Sequence, residues 1–129
     1  MIRRSGLPNV PAAAGAYSQV VEVGPLLFTA GMGPVDPATG AVTGITVAEQ
    51  THRTIDNLEA ALSACGASFA DVVKATVHLA DIQRDFKEFD TAFGQRFSGH
   101  FPARTTVGSS LPGILVEIDF IAIARQGER

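Results

Sequence analysis

Short apolar runs alternate along the chain with two longer amphipathic segments. Five runs have the composition or alternation of β-strands: residues 20–23, 26–29, 74–79, 104–107 and 114–124. The first two are separated only by Gly24 and Pro25, a composition typical of a tight turn between antiparallel strands. Residues 104–107 and 114–124 are likewise joined by a turn-rich segment, which predicts a second hairpin.

The two amphipathic segments predict helices. Thr46 and Glu49 fit a capping box, in which the Thr hydroxyl and the Glu carboxylate each accept a hydrogen bond from a free backbone amide. A helix is therefore expected to begin there, and Gly66 is placed to end it. A second helix is predicted behind Asp85 as N-cap. Its apolar side chains recur at helical spacing and are interpreted as core: Phe86, Phe89, Phe93 and Phe97.

The order of elements is ββ(β)αβαββ, where the bracketed strand is a brief one predicted at Ala41 and Val42. This order predicts an α+β fold with one mixed sheet and both helices packed on a single face. A chain of 129 residues, with 46% hydrophobic residues, suits one domain spanning residues 1–129. The run 114–124 carries apolar side chains on both faces. We therefore expect the second face of the sheet to be covered by another copy of the chain.

Charge and composition disfavour several classes of function. The formal net charge is −3 and the ten Lys and Arg residues are scattered, so nucleic acid is not an expected partner. No apolar run has the length of a signal peptide or a membrane span, which predicts a cytoplasmic protein. The three His residues have no metal-ligand spacing, so no metal is expected. The single cysteine, Cys65, is interpreted as a buried structural thiol.

One pair of charged residues could carry chemistry. Glu117 lies among apolar residues of the last strand, and a buried carboxylate needs a cation or polar partner. A hairpin centred between Ser110 and Leu111 would place Arg104 directly opposite it. Arginine binds carboxylates bidentately, and a carboxylate can activate water, so the pair suits hydrolysis of a small acid. A structural ion pair explains the same spacing, and this alternative stays open.

Two further positions are candidates for ligand contact. Residues 31–40 are rich in Gly and Pro, which predicts a loop whose Gly31 allows a ligand close to the backbone. This loop lacks the complete dinucleotide fingerprint and the P-loop lysine. Tyr17, the only tyrosine, lies in a polar segment where it could either close over a pocket or cover the core.

Several segments together resemble one known family. They are residues 13–18 (AAGAYS), 28–32 (FTAGM), 35–40 (VDPATG), 50–57, 101–104 (FPAR) and 116–118 (VEI). Across about residues 9–124 the chain resembles the Rid (YjgF) family of imine and enamine deaminases. The resemblance implies a chorismate-mutase-like homotrimer, in which the sheets form a central barrel and the active sites are clefts between subunits.

The resemblance also implies roles for particular residues. Arg104 would hold the substrate carboxylate, the carbonyl near Thr106 would bind the imine nitrogen, and Glu117 would position the attacking water. Tyr17 matches the aromatic residue at the cleft, where Gly31 is a further substrate-binding position. The implied substrates are 2-imino or 2-aminoacrylate-type acids, hydrolysed to a 2-keto acid and ammonia without any cofactor.

The chain departs from the common family pattern at Ala30, Thr106 and Asp90, where many deaminases have Ser, Cys and Asn. These changes bear on substrate choice, because one lost hydrogen bond in a cleft can redirect specificity. The alternative function is a trimeric protein that binds carboxylate metabolites, or protects under stress, without turnover. Ribonuclease or translation-inhibiting activity, attributed to relatives of the family, is disfavoured by the acidic charge balance.

Overall fold

The structure, a computed structural model, describes residues 1–124. Its elements in chain order are β1 (Ile2–Arg4), β2 (Val20–Val23), β3 (Leu26–Thr29), α1 (Val47–Ala64), β4 (Val72–Leu79), α2 (Ile82–Gly94), β5 (Ala103–Gly108) and β6 (Val116–Ile123). A single 3-10 turn, Phe69–Asp71, precedes β4. The last five residues of the predicted domain, 125–129, lie outside the described residues.

The strands form one mixed six-stranded sheet in the order β1-β2-β3-β6-β4-β5. The β2–β3 hairpin is confirmed, with Val23 opposite Leu26 across the turn. The first strand, β1, pairs antiparallel with β2 and was not predicted, because three residues are too few to show a pattern. Its Arg4 forms an ion pair with Glu22. The α+β class and the mixed sheet with two helices are confirmed.

The predicted hairpin between the last two strands is wrong. Strand β5 pairs in parallel with β4, where Arg104 lies opposite Ala75. Strand β6 pairs antiparallel with the other edge of β4, where Glu117 lies opposite His78. The physical reason is α2, which provides the long crossover that parallel neighbours require. The central strand β4 therefore separates Arg104 from Glu117.

The helix termini follow local hydrogen-bonding chemistry. Thr46 Oγ1 accepts from the Glu49 amide at 3.1 Å, while the Glu49 carboxylate accepts from the Thr46 amide at 3.0 Å, which confirms the capping box. Backbone hydrogen bonds from the Thr46 and Ile45 amides to the Glu49 carboxylate lower the pKa of that carboxyl group. The start predicted for the second helix is wrong by one turn, since Asp81 is the N-cap and accepts from the Arg84 amide. Asp85 instead lies in the first turn.

Both helices cover one face of the sheet and close the core over it. Strand β6 contributes four fully buried side chains to this face, Val116, Ile118, Phe120 and Ala122. Phe89 and Phe93 are buried as predicted, Phe97 is buried just beyond the helix, and Phe86 is 41% exposed. Cys65 is buried, as predicted, and this burial raises the pKa of its thiol.

The opposite face of the sheet carries apolar side chains that nothing covers in the described residues. On this face Val23 is 40% exposed, Phe28 is 38% exposed and Ile123 is 44% exposed. A cluster of large apolar side chains at neighbouring sheet positions is typical of a surface that meets another protein. The trimer and its barrel stay a prediction.

Candidate active site

The Glu117 carboxylate lies against the backbone of the glycine-rich loop that follows β3. A short bridge holds this loop beside β6, with Met32 and Ile118 exchanging amide-to-carbonyl hydrogen bonds of 2.8 and 3.0 Å. A Cβ atom on Gly31 would lie 3.0 Å from both Cδ and Oε2 of Glu117. Only glycine therefore leaves the carboxylate in this position.

Glu117 and Gly31 line a cavity of about 460 Å³ together with Tyr17 and Ile114. Tyr17 lies in the loop after residue 10 and is 49% exposed, so it closes the rim of this cavity and is not core. Its Oη accepts from the Ala14 amide at 2.9 Å, which fixes the ring. Three predicted site residues, Tyr17, Gly31 and Glu117, thus share one cavity within a single chain.

The loop that carries Tyr17 is braced by Gln19, a residue that sequence analysis missed. Gln19 is 1% exposed. Its Oε1 accepts from the Leu7 amide at 2.9 Å, and its Nε2 donates to the Pro11 carbonyl at 2.7 Å. A buried side-chain amide needs hydrogen-bond partners for both its oxygen and its nitrogen. Gln19 therefore connects the backbone at Leu7 with the backbone at Pro11.

Two polar residues of α1 brace the opposite wall, and these were also missed. Asn57 is fully buried and its Nδ2 donates to the carbonyls of Gly33 and Val35 at 3.0 and 2.8 Å. Gln50 accepts from the Leu115 amide at 2.8 Å, next to the start of β6. The signal was available in the sequence, since both are polar positions on the helix stripe that faces the core.

Arg104 and Thr106 lie on the other face of the sheet. They share the helix-covered face of β5, opposite Ala75 and Val77. The Arg104 guanidinium carbon lies 4.9, 5.2 and 5.8 Å from the ring centres of Phe93, Phe89 and Phe86. Cation–π contacts of this kind hold the guanidinium in place.

The ion-pair partner of Arg104 is Asp90, not Glu117. Arg104 Nη2 lies 2.8 Å from Asp90 Oδ1, with side-chain exposures of 20% and 54%. Both residues line a cavity of about 340 Å³ whose rim includes Phe101 and Pro102. An ion pair this exposed contributes only about 0.2–1 kcal/mol, so a ligand carboxylate can compete with Asp90 for the guanidinium.

One chain therefore does not bring Arg104 and Glu117 together, and the expected pairing across strands is wrong. Arg104 and Phe120 both lie opposite Ala75, on the helix-covered face. Glu117 lies three residues before Phe120 in the same strand, so its side chain points to the other face. The structural ion pair that the sequence left open is also absent from this chain. The two residues line two separate cavities, one on each face of the sheet.

The open face beside Glu117 carries further polar side chains. His78 lies opposite Glu117, and its Nδ1 is 2.7 Å from Ser109 Oγ. Asp119 lies on the same face, where burial raises the pKa of its carboxyl group and the charges of His78 and Lys74 partly oppose that rise.

Across residues 1–124, no three His, Cys, Asp or Glu side chains cluster closely enough to hold a metal ion. No helix in that range is long and apolar enough to cross a membrane.

Comparison with known proteins adds family relationships to this geometry. A family model described as endoribonuclease L-PSP matches residues 7–124. A RutC family protein of Saccharolobus solfataricus is 46% identical, covering 88% of this chain and 91% of the relative. A 2-iminobutanoate/2-iminopropanoate deaminase of Salmonella typhimurium is 38% identical, covering 91% and 94%. The crystal structure of Escherichia coli TdcF with bound serine matches with a TM-score of 0.87 at 32% identity, covering 96% and 100%.

Proposed function

This chain belongs to the Rid (YjgF) family, whose family model is described as endoribonuclease L-PSP, and from that membership we propose that it hydrolyses small 2-imino and enamine acids to 2-keto acids and ammonia. The observation that carries the proposal is the Glu117 carboxylate held against Gly31 inside a cavity. The name of the Salmonella relative and the serine held by TdcF support a small carboxylate-bearing substrate.

The proposed chemistry uses Glu117 as a general base. Its carboxylate takes a proton from water as the water oxygen bonds to C2 of the imine, and the C=N double bond becomes a single bond. Glu117 returns this proton to nitrogen, which gives the carbinolamine. The hydroxyl proton then passes through Glu117 to the same nitrogen as the C–N bond breaks and the C=O bond forms, so that ammonia leaves and the keto acid remains. An enamine enters the same route after protonation at C3. Arg104 holds the substrate carboxylate, the carbonyl near Thr106 receives the imine N–H, and Tyr17 covers the cavity.

A working site needs a second copy of the chain. Because Arg104 and Glu117 lie on opposite faces of one sheet, the cleft would be formed between subunits, with Arg104 and Thr106 from one chain and Tyr17, Gly31 and Glu117 from its neighbour. The position of β5 at the sheet edge supports this assignment, since an edge strand can face a neighbouring subunit. The exposed apolar side chains on the open face, Val23, Phe28 and Ile123, support a homotrimer in which three sheets close a barrel.

Turnover tests the chemistry directly. 2-Aminoacrylate generated in the assay should yield pyruvate and ammonia faster with the protein than in buffer, and Glu117→Gln should lose at least about 100-fold of that rate. Asp119→Asn is the matched control, since it removes one carboxylate from the same face of the same strand and should retain the rate. Parental turnover equal to buffer, or a Glu117→Gln variant as active as the parent, would refute the proposal. Thermal stabilisation by pyruvate without turnover would favour a carboxylate-binding protein.

Mixing two inactive variants tests whether the site is shared between chains. Glu117→Gln and Arg104→Met should each be inactive, but in hybrids a cleft can receive the native Glu117 from one chain and the native Arg104 from its neighbour. Random assembly of equal amounts gives each native residue in half of the positions, so about one quarter of the clefts should be restored. Native mass spectrometry shows whether hybrids have formed. Hybrids that recover no activity would contradict the shared cleft.

A further inference from the structure

We propose that Asp90 makes the cleft selective for ligands that carry a positively charged nitrogen beside their carboxylate. The imino acid would accordingly bind as its protonated iminium form, and amino-acid zwitterions would bind in preference to the corresponding keto acids. This inference rests on the proposed function for the role of Arg104 as carboxylate anchor. It goes beyond that function by assigning Asp90 as a specificity-determining residue and the iminium as the form of the substrate that binds.

The geometry places two opposite charges side by side at one cavity. Asp90 Oδ1 lies 2.8 Å from Arg104 Nη2, and both side chains line the same cavity as Phe101. The guanidinium is held by the rings beneath it, whereas the Asp90 side chain is 54% exposed. A ligand entering this cavity therefore meets a fixed positive group and an accessible negative group together.

Such a pair distinguishes ligands by their charge pattern. A keto acid is a simple anion, and its attraction to Arg104 is offset by repulsion from Asp90. An iminium or ammonium acid has a negative and a positive end, so it can place its carboxylate on Arg104 and donate an N–H to Asp90. The carboxylate of Asp90 accepts hydrogen bonds and donates none when ionised, so it has nothing to offer a keto oxygen.

This selection has a consequence for the reaction. A proton kept on the imine nitrogen makes C2 a better acceptor for the water oxygen, while the proton of that water passes to Glu117. After the C–N bond breaks, the keto product no longer carries a donor for Asp90. The same carboxylate that retains the substrate thus favours release of the product.

The experiment compares two ligands with the same carbon skeleton, pyruvate and L-alanine. Their binding to the assembled protein is measured by calorimetry for the parent, Asp90→Asn and Glu88→Gln. Glu88→Gln is the matched control, because it removes one negative charge from the same helix while its side chain still accepts from the Ala48 amide, as Glu88 Oε2 does at 3.0 Å. Thermal unfolding and circular dichroism establish that each variant is folded.

The expected result is a change in the ratio of affinities. Asp90→Asn should shift that ratio by about tenfold toward pyruvate, by tighter pyruvate binding and weaker L-alanine binding, while Glu88→Gln leaves it at the parental value. Equal effects on both ligands would mean that Asp90 only positions Arg104, and would overturn the inference. Failure of both ligands to bind the parent would overturn it as well.

The same preparations keep this inference separable from the proposed function. Imine hydrolysis by the parent, together with a ratio that Asp90→Asn leaves unchanged, refutes the selectivity and leaves the deaminase proposal standing. A shifted ratio in a protein that hydrolyses no imine supports the selectivity of the cleft and refutes the deaminase proposal.

Discussion

Adding one methyl group at Gly31 should disable the proposed base without unfolding the protein. The new Cβ would lie 3.0 Å from Cδ and Oε2 of Glu117, while carbon atoms pack comfortably only at about 3.5–4.0 Å. The carboxylate must therefore move by about 0.5–1 Å. Gly31 is not among the glycines with a positive φ, so alanine strains no backbone angle there and the whole effect comes from this contact.

A displacement of this size should lower kcat by about 10- to 100-fold, because catalysis depends steeply on the position of the reacting groups. The loss corresponds to about 1.4–2.7 kcal/mol in the activation free energy. Steady-state imine hydrolysis measures it, and Gly33→Ala is the control. Its Cβ would meet only the terminal methyl of Ile114, at 3.2 Å, which can rotate away. A Gly31→Ala enzyme that keeps more than half of the parental kcat would refute the argument.

Two further predictions concern stability. Asn57→Ala should cost about 2–4 kcal/mol in the free energy of unfolding, since it removes a fully buried amide and leaves two partly buried loop carbonyls without their donor. Urea denaturation measures this, with the exposed Glu59→Ala as control, and a loss below about 1 kcal/mol would contradict it. Asp119 has a raised pKa in the fold, so the folded state holds its proton to higher pH than the unfolded chain and stability falls as pH rises above the unfolded pKa. Asp119→Asn should therefore raise the melting temperature at pH 7. Below about pH 3 it should have no such effect, because Asp119 is then protonated in both the folded and the unfolded state. An equal rise in melting temperature at both pH values would count against burial of the charged carboxylate as the cause.

Features set by local periodicity were predictable from the sequence. The alternation of β6 places Glu117 on one face of the sheet and Phe120 on the other, because successive side chains in a strand point to opposite sides. The capping box at Thr46 marks the start of α1 for the same local reason. The Phe periodicity was weaker as a boundary signal, since α2 begins one turn before the first Phe of that pattern, at Ile82 behind the N-cap Asp81.

The strand partners and the loop braces depend on tertiary context. A turn-rich segment between two strands resembles a hairpin, but β4, α2 and β5 form a strand–helix–strand unit whose strands pair in parallel. This unit, and not the turn, determines the partner of β5. Asn57 was overlooked for a different reason, because the helical pattern was judged by its apolar positions and a buried amide matters only through the loop it contacts.

The separation of Arg104 from Glu117 also explains how both groups stay usable. Had they been neighbours in one hairpin, the guanidinium would pair with Glu117 and make it a weaker base, and the same bond would block the carboxylate-binding fork. On opposite faces, the ion-pair partner of Arg104 among residues 1–124 is the exposed Asp90, and Glu117 faces a cavity. In the proposed cleft between two copies, the substrate would lie between the two groups and contact both. The geometry that excludes the structural ion pair within one chain is therefore the one that the proposed hydrolytic site between chains requires.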